Sequence, residues 1–317
     1  MKKILAIVLA IMMITALAGC ASTGGDRTYN IGICQTVQHV ALDAATKGFK
    51  DYLTDKLGDK VTFNEQNAQG DSATCTTIAN QFVADGVDLI LGNATPALQA
   101  AFTATSEIPV LGTSITDYGT ALDIADWKGS SGFNVSGTAD LAPLDGQADI
   151  IKELFPDAKN IGLLYCSAEP NSKYQCDTIS TYLTDYKVKK YTFSDSNDIA
   201  AVATAACDEC DVLYIPTDNA AASNTGIIDN IATEKGTPIV CGEEGICSGC
   251  GVATLSINYY DLGQKTGEMA YDILVNGADI STMEVQFAEA TTKKYNAERA
   301  KALGITIPDD YEAIEAE

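Results

Sequence analysis

The sequence predicts an α/β protein of two lobes, each a parallel β-sheet covered by helices. Three observations point there. Short apolar runs alternate with helix-length segments along nearly the whole chain, the pattern of repeated βα units. The runs are too many for one sheet of ordinary size. The series breaks once, over an irregular stretch at 113–138.

The first series opens with YNIGIC (29–34), followed by a helix from about Val40 to Leu57. VTFNEQ (61–66) precedes a helix after Asp71, and VDLIL (87–91) precedes GNATPALQA (92–100). Val87 to Leu91 is continuously apolar, the mark of a strand covered on both faces. Thr95 is suited to the N-cap and Pro96 to the first helical position, where a missing N–H costs nothing. A helix N-terminus placed there can receive an anion, although most such turns are plain strand–helix joints. IPVLG (108–112) closes the first series before the irregular stretch to GFNVSG (132–137).

The second series contains NIGLLY (160–165), KVKKYTF (187–193), DVLYI (211–215), TPIVC (237–241) and GVATLSI (251–257). A helix from Asn258 to Asn276 and a tail from Met283 are left over, long enough to cross back between lobes. The expected division is 29–138 plus about 257–283 for the first lobe, and 139–256 plus about 284–317 for the second.

The 317 residues are 46% hydrophobic and 20% charged, values of a packed globular body. A net charge of −23 argues against nucleic acid as a partner, because nothing could neutralise a row of phosphates. The N-terminus, MKKILAIVLAIMMITALAGC, has two lysines, an apolar run from Ile4 to Leu17, and small residues before Cys20. That is a signal-peptide layout, and the run is short for a membrane span. Residues 21–28 (ASTGGDRT) read as a flexible tether.

Ten cysteines include two CxxC pairs, Cys207/Cys210 and Cys247/Cys250. The pairs lie about twice as far apart as in zinc ribbons, and the chain has a single histidine. Local disulfides or inert buried thiols are therefore expected rather than a metal site.

In an open parallel sheet ligands bind beyond the carboxyl ends of the strands. Those positions hold Gln35, Thr36 and His39 after the first strand, and Asn93 and Thr95 after the third. Thr113, Ser114, Thr116 and Asp117 follow the fourth. In the second lobe they hold Ser167, Glu169, Asn171 and Ser172, then Asp218 and Asn219, then Glu243 and Glu244. The first lobe thus offers hydroxyls, amides and a helix N-terminus, which suit an anion. The second offers carboxylates, which suit a cation, although Asp and Glu beside helix starts are also ordinary caps. A zwitterion such as an amino acid would bridge the two. Charge-assisted hydrogen bonds are worth roughly 1.5–3 kcal/mol each, and micromolar binding needs about 8 kcal/mol after association costs. Burying an aromatic ligand side chain would add about 4–6 kcal/mol. Tyr118, Trp127 and Tyr165 are placed in loops facing the expected cleft, against core packing as the commoner fate of a tyrosine.

IGICQTVQHVALDAATKGF, QNAQGD, VDLILGNATPALQA, IPVLGTSITD, NVSGTAD, LYCSAEPNS, VLYIPTDN and INYYDLGQKTGEMA occur in that order over nearly the whole mature chain. Together they resemble the substrate-binding lipoproteins of ABC transporters, in the branch that binds tryptophan and tyrosine. The resemblance implies the type I periplasmic-binding-protein fold, two Rossmann-like lobes joined by a three-stranded hinge. It implies an amino-acid ligand, aromatic in this branch, delivered by a monomer to an ABC permease with its ATPase. The ending LAGC resembles a lipobox, so that Cys20 would carry lipid at the outer face of the cytoplasmic membrane. Carried over residue by residue, Ala94 and Thr95 fall near the ligand carboxylate, and Ser114, Thr116 and Asp117 on the cleft wall. Glu169, Asn171 and Ser172 fall on the opposite lobe, Asp218 and Asn219 near the ammonium, and Gln35 and His39 match QxxxH. Two segments depart from the pattern, ALDIADWKGSSG (121–132) and the cysteine-bearing GEEGICSGCG.

An enzyme is the alternative from another class, with a carboxylate pair such as Glu169 and Asp218 doing acid–base work. Against it, the sequence has no Gly-rich phosphate loop and no nucleophile elbow, His39 is its one imidazole, and no cofactor is called for. A sensor domain binding the same ligand without transport is the third reading.

Overall fold

The computed structural model describes residues 27–315. The signal segment, Cys20 and most of the tether lie outside the described residues. Among the described residues no helix is long and apolar enough to cross a membrane.

The first lobe alternates strand and helix from its start: β1 (Tyr29–Gln35), α1 (Val40–Leu57), β2 (Val61–Asn67), α2 (Ser72–Asp85), β3 (Leu89–Asn93), α3 (Thr95–Ala104), β4 (Val110–Ile115), α4 (Tyr118–Leu122) and β5 (Val135–Ala139). The chain then enters the second lobe with α5 (Leu144–Leu154), β6 (Asn160–Cys166), α6 (Pro170–Ser180), β7 (Lys187–Phe193), α7 (Ile199–Glu209) and β8 (Val212–Ile215). Two short helices, α8 (Asn219–Ala222) and α9 (Thr225–Lys235), lead to β9 (Ile239–Cys241), α10 (Glu244–Cys250) and β10 (Ala253–Ser256). It returns to the first lobe with α11 (Tyr259–Leu274) and β11 (Gln286–Phe287), then finishes in the second with β12 (Thr292–Tyr295), α12 (Ala297–Ala302) and β13 (Glu312–Ala313).

The first sheet has the order β11-β5-β4-β3-β1-β2 and is parallel throughout. The second has the order β13-β12-β10-β9-β8-β6-β7, parallel except that β10 and β12 run antiparallel. Every residue of β3 is buried, as its apolar run requires of a central strand covered on both faces. Phe82, Leu98 and Val110 lie in the core on one face of the first sheet, and Phe49, Leu53 and Met269 in the core on the other. The second sheet is covered in the same way.

Three crossings join the lobes: 140–143, 257–258 and 288–291. The third departs from the sequence reading, which gives residues from about 284 to the second lobe. Gln286 and Phe287 instead pair with Thr138 and Ala139 at the edge of the first sheet. A two-residue strand is too short to show a periodicity. A small apolar cluster of Ala41, Ala45, Ala142, Ile257, Tyr259 and Leu262 sits over two of the crossings. Beside it α1 and α11 touch backbone to backbone. A Cβ on Gly263 would lie 2.0 Å from the Ala45 carbonyl oxygen, and one on Gly48 would lie 2.1 Å from that of Tyr260. Glycine is required at both contacts.

Candidate functional site

The carboxyl ends of the two sheets face each other across the crossings, and the loops after the strands meet there. Gln35, at the end of β1, is turned into the lobe. Its amide donates to Val37 O and Asp43 Oδ1 and its oxygen accepts from Thr46, pinning the first turn of α1. That leaves His39 at the N-cap of α1, pointing across the gap, with Nε2 3.3 Å from Asn219 Oδ1 of the other lobe. Burial of the ring lowers its pKa, so the imidazole is neutral near pH 7.

At the end of β3 the N-cap of α3 is Ala94, not Thr95 as the sequence suggests. Ala94 has φ 75°, a left-handed conformation, and its N–H donates to Thr113 O. Pro96 has no N–H, and that of Ala97 is taken by Thr36 Oγ1. Two of the N–H groups at this helix start are thus taken by the lobe's own loops. Neither Ala94 nor Thr95 lines the space between the lobes.

The β4–β5 pairing shifts register between Gly112 and Ile115, and Ser114 is thrown into a left-handed conformation, φ 56°. Strain of this kind is held in place only by surroundings that over-determine it. The result is a Ser114 hydroxyl aimed at the gap. Thr116 accepts from Gln175 Nε2 of α6 at 3.3 Å, a second contact between the lobes. Asp117 faces elsewhere: it caps α4 through the N–H of Thr120.

Asp140, the residue immediately after β5, is buried and lines the gap. Its Oδ2 accepts from Tyr259 Oη at 2.9 Å. Burial pushes its pKa up to about 6, against the stabilising hydrogen bond from Tyr259.

On the second lobe the acids are bound inward. Glu169 accepts from the N–H groups of Asn219 and Ala220 and from the side-chain amides of Asn219 and Asn171. It clamps α8 to α6 and does not line the gap, nor does Ser172. Desolvation, then the charge of Asp218, pushes the Glu169 pKa up to about 7. Asp218 takes Cys166 N–H on one oxygen and Ala221 N–H on the other. Glu243 caps α10 through Gly245 and Ile246, and burial pushes its pKa up to about 7.

His39, Ser114, Thr116, Asn171, Asp218, Asn219 and Glu243 therefore meet around one small cavity, joined by Leu42, Asp140, Thr217, Ala222, Ile246 and Tyr259. Gln35, Ala94, Thr95, Asp117, Glu169 and Ser172 do not line it. The aromatic expectation also needs correcting. Tyr118 is buried with its hydroxyl bonded to Gly112 O, Trp127 stacks on it at 5.7 Å, and Tyr165 belongs to the core of the second lobe. All three rings pack within a lobe rather than face the cleft. Asp140 and Tyr259 are absent from the sequence reading. The position of Asp140 directly after a strand was the available signal.

The cavity measures about 10 Å³, room for one water. Four of the seven buried side-chain polar atoms left without a partner among the described residues are on its wall: His39 Nδ1, Ser114 Oγ, Asp140 Oδ1 and Asn171 Oδ1. Buried polar atoms rarely go unpaired, so this concentration marks a place built for polar groups from elsewhere. No lysine or arginine lines it, while Asp140, Asp218 and Glu243 do, so its field favours a cation. A wide groove of about 1090 Å³ lies alongside, walled by α1, α10, α11 and the crossings, and shares His39, Ala222, Glu243 and Tyr259 with the cavity.

The nine described cysteines are free thiols. Among the described residues no group of three metal-ligating side chains is placed to hold an ion.

The family model for ABC transporter substrate-binding proteins matches residues 30–316. The chain belongs to that family. A tyrosine-binding protein of Clostridioides difficile (strain R20291) is 36% identical over 320 residues, covering 95% of this chain and 92% of that protein. A Streptococcus pneumonia domain crystallised with L-Trp is 33% identical with a TM-score of 0.85, covering 89% of this chain and 96% of that one. The ligand-free, open structure of a Clostridium difficile substrate-binding protein with adhesive properties is 37% identical but superposes at 0.69, covering 92% of this chain and 100% of that one. The more identical chain thus fits less well, and the arrangement of lobes here is nearer to that of the L-Trp complex. The fold is the two-lobed one of periplasmic binding proteins. The chain is a substrate-binding protein of the ABC transporter family and not an enzyme. Its place is extracytoplasmic, with a small-molecule ligand and a transporter as partners.

Proposed function

We propose that this ABC substrate-binding protein captures an aromatic L-amino acid, tyrosine or tryptophan, between its lobes. The convergence of four unpartnered polar atoms from both lobes on one interlobe cavity carries the reading. The ligands named for two relatives supply the chemical class. A cavity of about 10 Å³ cannot admit an amino acid without movement. Entry therefore requires the lobes to separate, breaking the His39–Asn219 and Gln175–Thr116 contacts. The protein works as a monomer, tethered by lipid on Cys20 to the outer face of the cytoplasmic membrane, and hands its ligand to a permease with its ATPase.

A thermal-shift screen of the mature domain against the twenty amino acids, followed by calorimetry, tests this. L-Tyrosine and L-tryptophan should give the largest shifts, with dissociation constants of about 1 μM or below. Larger shifts with aliphatic or acidic amino acids, or none at all, would overturn it.

A further inference from the structure

We propose that Asp140 of the first lobe, and not an acid of the second, receives the ligand's ammonium and holds it at the hinge. This rests on the reading of the ligand as an amino acid. Four carboxylates are buried around the cleft: Asp140, Glu169, Asp218 and Glu243. Each oxygen of Glu169, Asp218 and Glu243 already accepts at least one backbone N–H. Their charge is turned toward the helix starts they cap. Asp140 differs: it lines the cavity, its Oδ1 is buried with no partner, and its Oδ2 is held by Tyr259. A buried carboxylate oxygen without a partner, on a residue lining a cavity with no lysine or arginine in its wall, is the acceptor an ammonium would complete.

The position gives this contact a mechanical meaning. Asp140 opens the first crossing between the lobes, and Tyr259 stands at the end of the second. Their hydrogen bond links two of the three connections, and Ser114 beside them also belongs to the first lobe. The ammonium is thus docked on a surface that exists before closure. Asn171, Asn219 and Glu243 then arrive with the second lobe.

The test is a cycle of two ligands against two proteins, measured by calorimetry: L-tyrosine and 3-(4-hydroxyphenyl)propionate, which lacks the amine, on the wild type and on Asp140→Asn. Asp140→Asn should weaken L-tyrosine by about 10–100-fold and leave the deaminated acid within about 3-fold of the wild type. Tyr259→Phe, which keeps the carboxylate and removes one support of it, should shift the same preference in the same direction, and decides the matter should Asp140→Asn fail to fold. Equal losses for both ligands, or wild-type affinity for L-tyrosine in Asp140→Asn, would overturn the proposal while leaving the amino-acid reading intact. A wild type that binds no amino acid would overturn both.

Discussion

Glu169→Ala should destabilise the second lobe heavily, although the residue it removes does not line the cavity. The carboxylate accepts from Asn219 N at 3.0 Å, Ala220 N at 2.9 Å, Asn219 Nδ2 at 2.7 Å and Asn171 Nδ2 at 3.2 Å. Alanine leaves the two backbone donors without an acceptor in a buried place, at about 1–3 kcal/mol each. The two side-chain amides lose a partner as well, and relief of the repulsion from Asp218 offsets part of the loss. The sum is about 4 kcal/mol, a fall in Tm of roughly 8–16 °C for a unit of this size. Glu169→Gln keeps one good acceptor but sets an NH2 against a backbone N–H, and should lose about half as much. Scanning fluorimetry of the ligand-free mature domain reads both. A Glu169→Ala protein melting within about 2 °C of the wild type would refute the clamp, since the buried N–H and side-chain amide of Asn219 cannot lose their acceptor without a large cost.

Gly263→Ala should lower Tm by about 4–10 °C, because its Cβ would meet the Ala45 carbonyl and force α1 and α11 apart; calorimetric unfolding checks it. Stability of the ligand-free domain should rise as the pH is lowered from about 8 to about 5. Asp140, Glu169 and Glu243 bind their protons more tightly folded than unfolded, with folded values of about 6, 7 and 7. The stability they contribute is present below the ordinary carboxylate range and lost as the pH rises through those values. Urea titrations across this range that showed the opposite slope would contradict their burial.

The strands and helices were legible because each βα unit carries its own signal: a continuous apolar run such as VDLIL, then a capped or proline-marked helix start. The carboxyl-end rule also reached the loops that line the cavity, through His39, Ser114, Asn171, Asp218, Asn219 and Glu243. It could not find direction. Gln35 and Glu169 are polar residues after strands that spend their hydrogen bonds inside one lobe, and only coordinates reveal which donors surround them. The left-handed turns at Ala94 and Ser114 were hidden for a related reason: neither residue type announces positive φ, and the surrounding sheet imposes it. Asp117, Tyr118 and Trp127 show the reverse error, in which a side chain beside the cleft in sequence packs into one lobe in space. The first lobe, expected to offer mainly hydroxyls, amides and a helix N-terminus, also carries a buried acid at the cavity. Asp140 puts a buried carboxylate on the first lobe, and the acids of the second are largely occupied as helix caps.

A crystal structure of the mature domain grown with L-tyrosine tests most directly whether the two lobes share one ligand. The account predicts density for the amino acid enclosed between Ser114 and Asp140 on one side and Asn171, Asn219 and Glu243 on the other. Tyrosine bound to one lobe alone, in the outer groove, or absent from a closed molecule would contradict it.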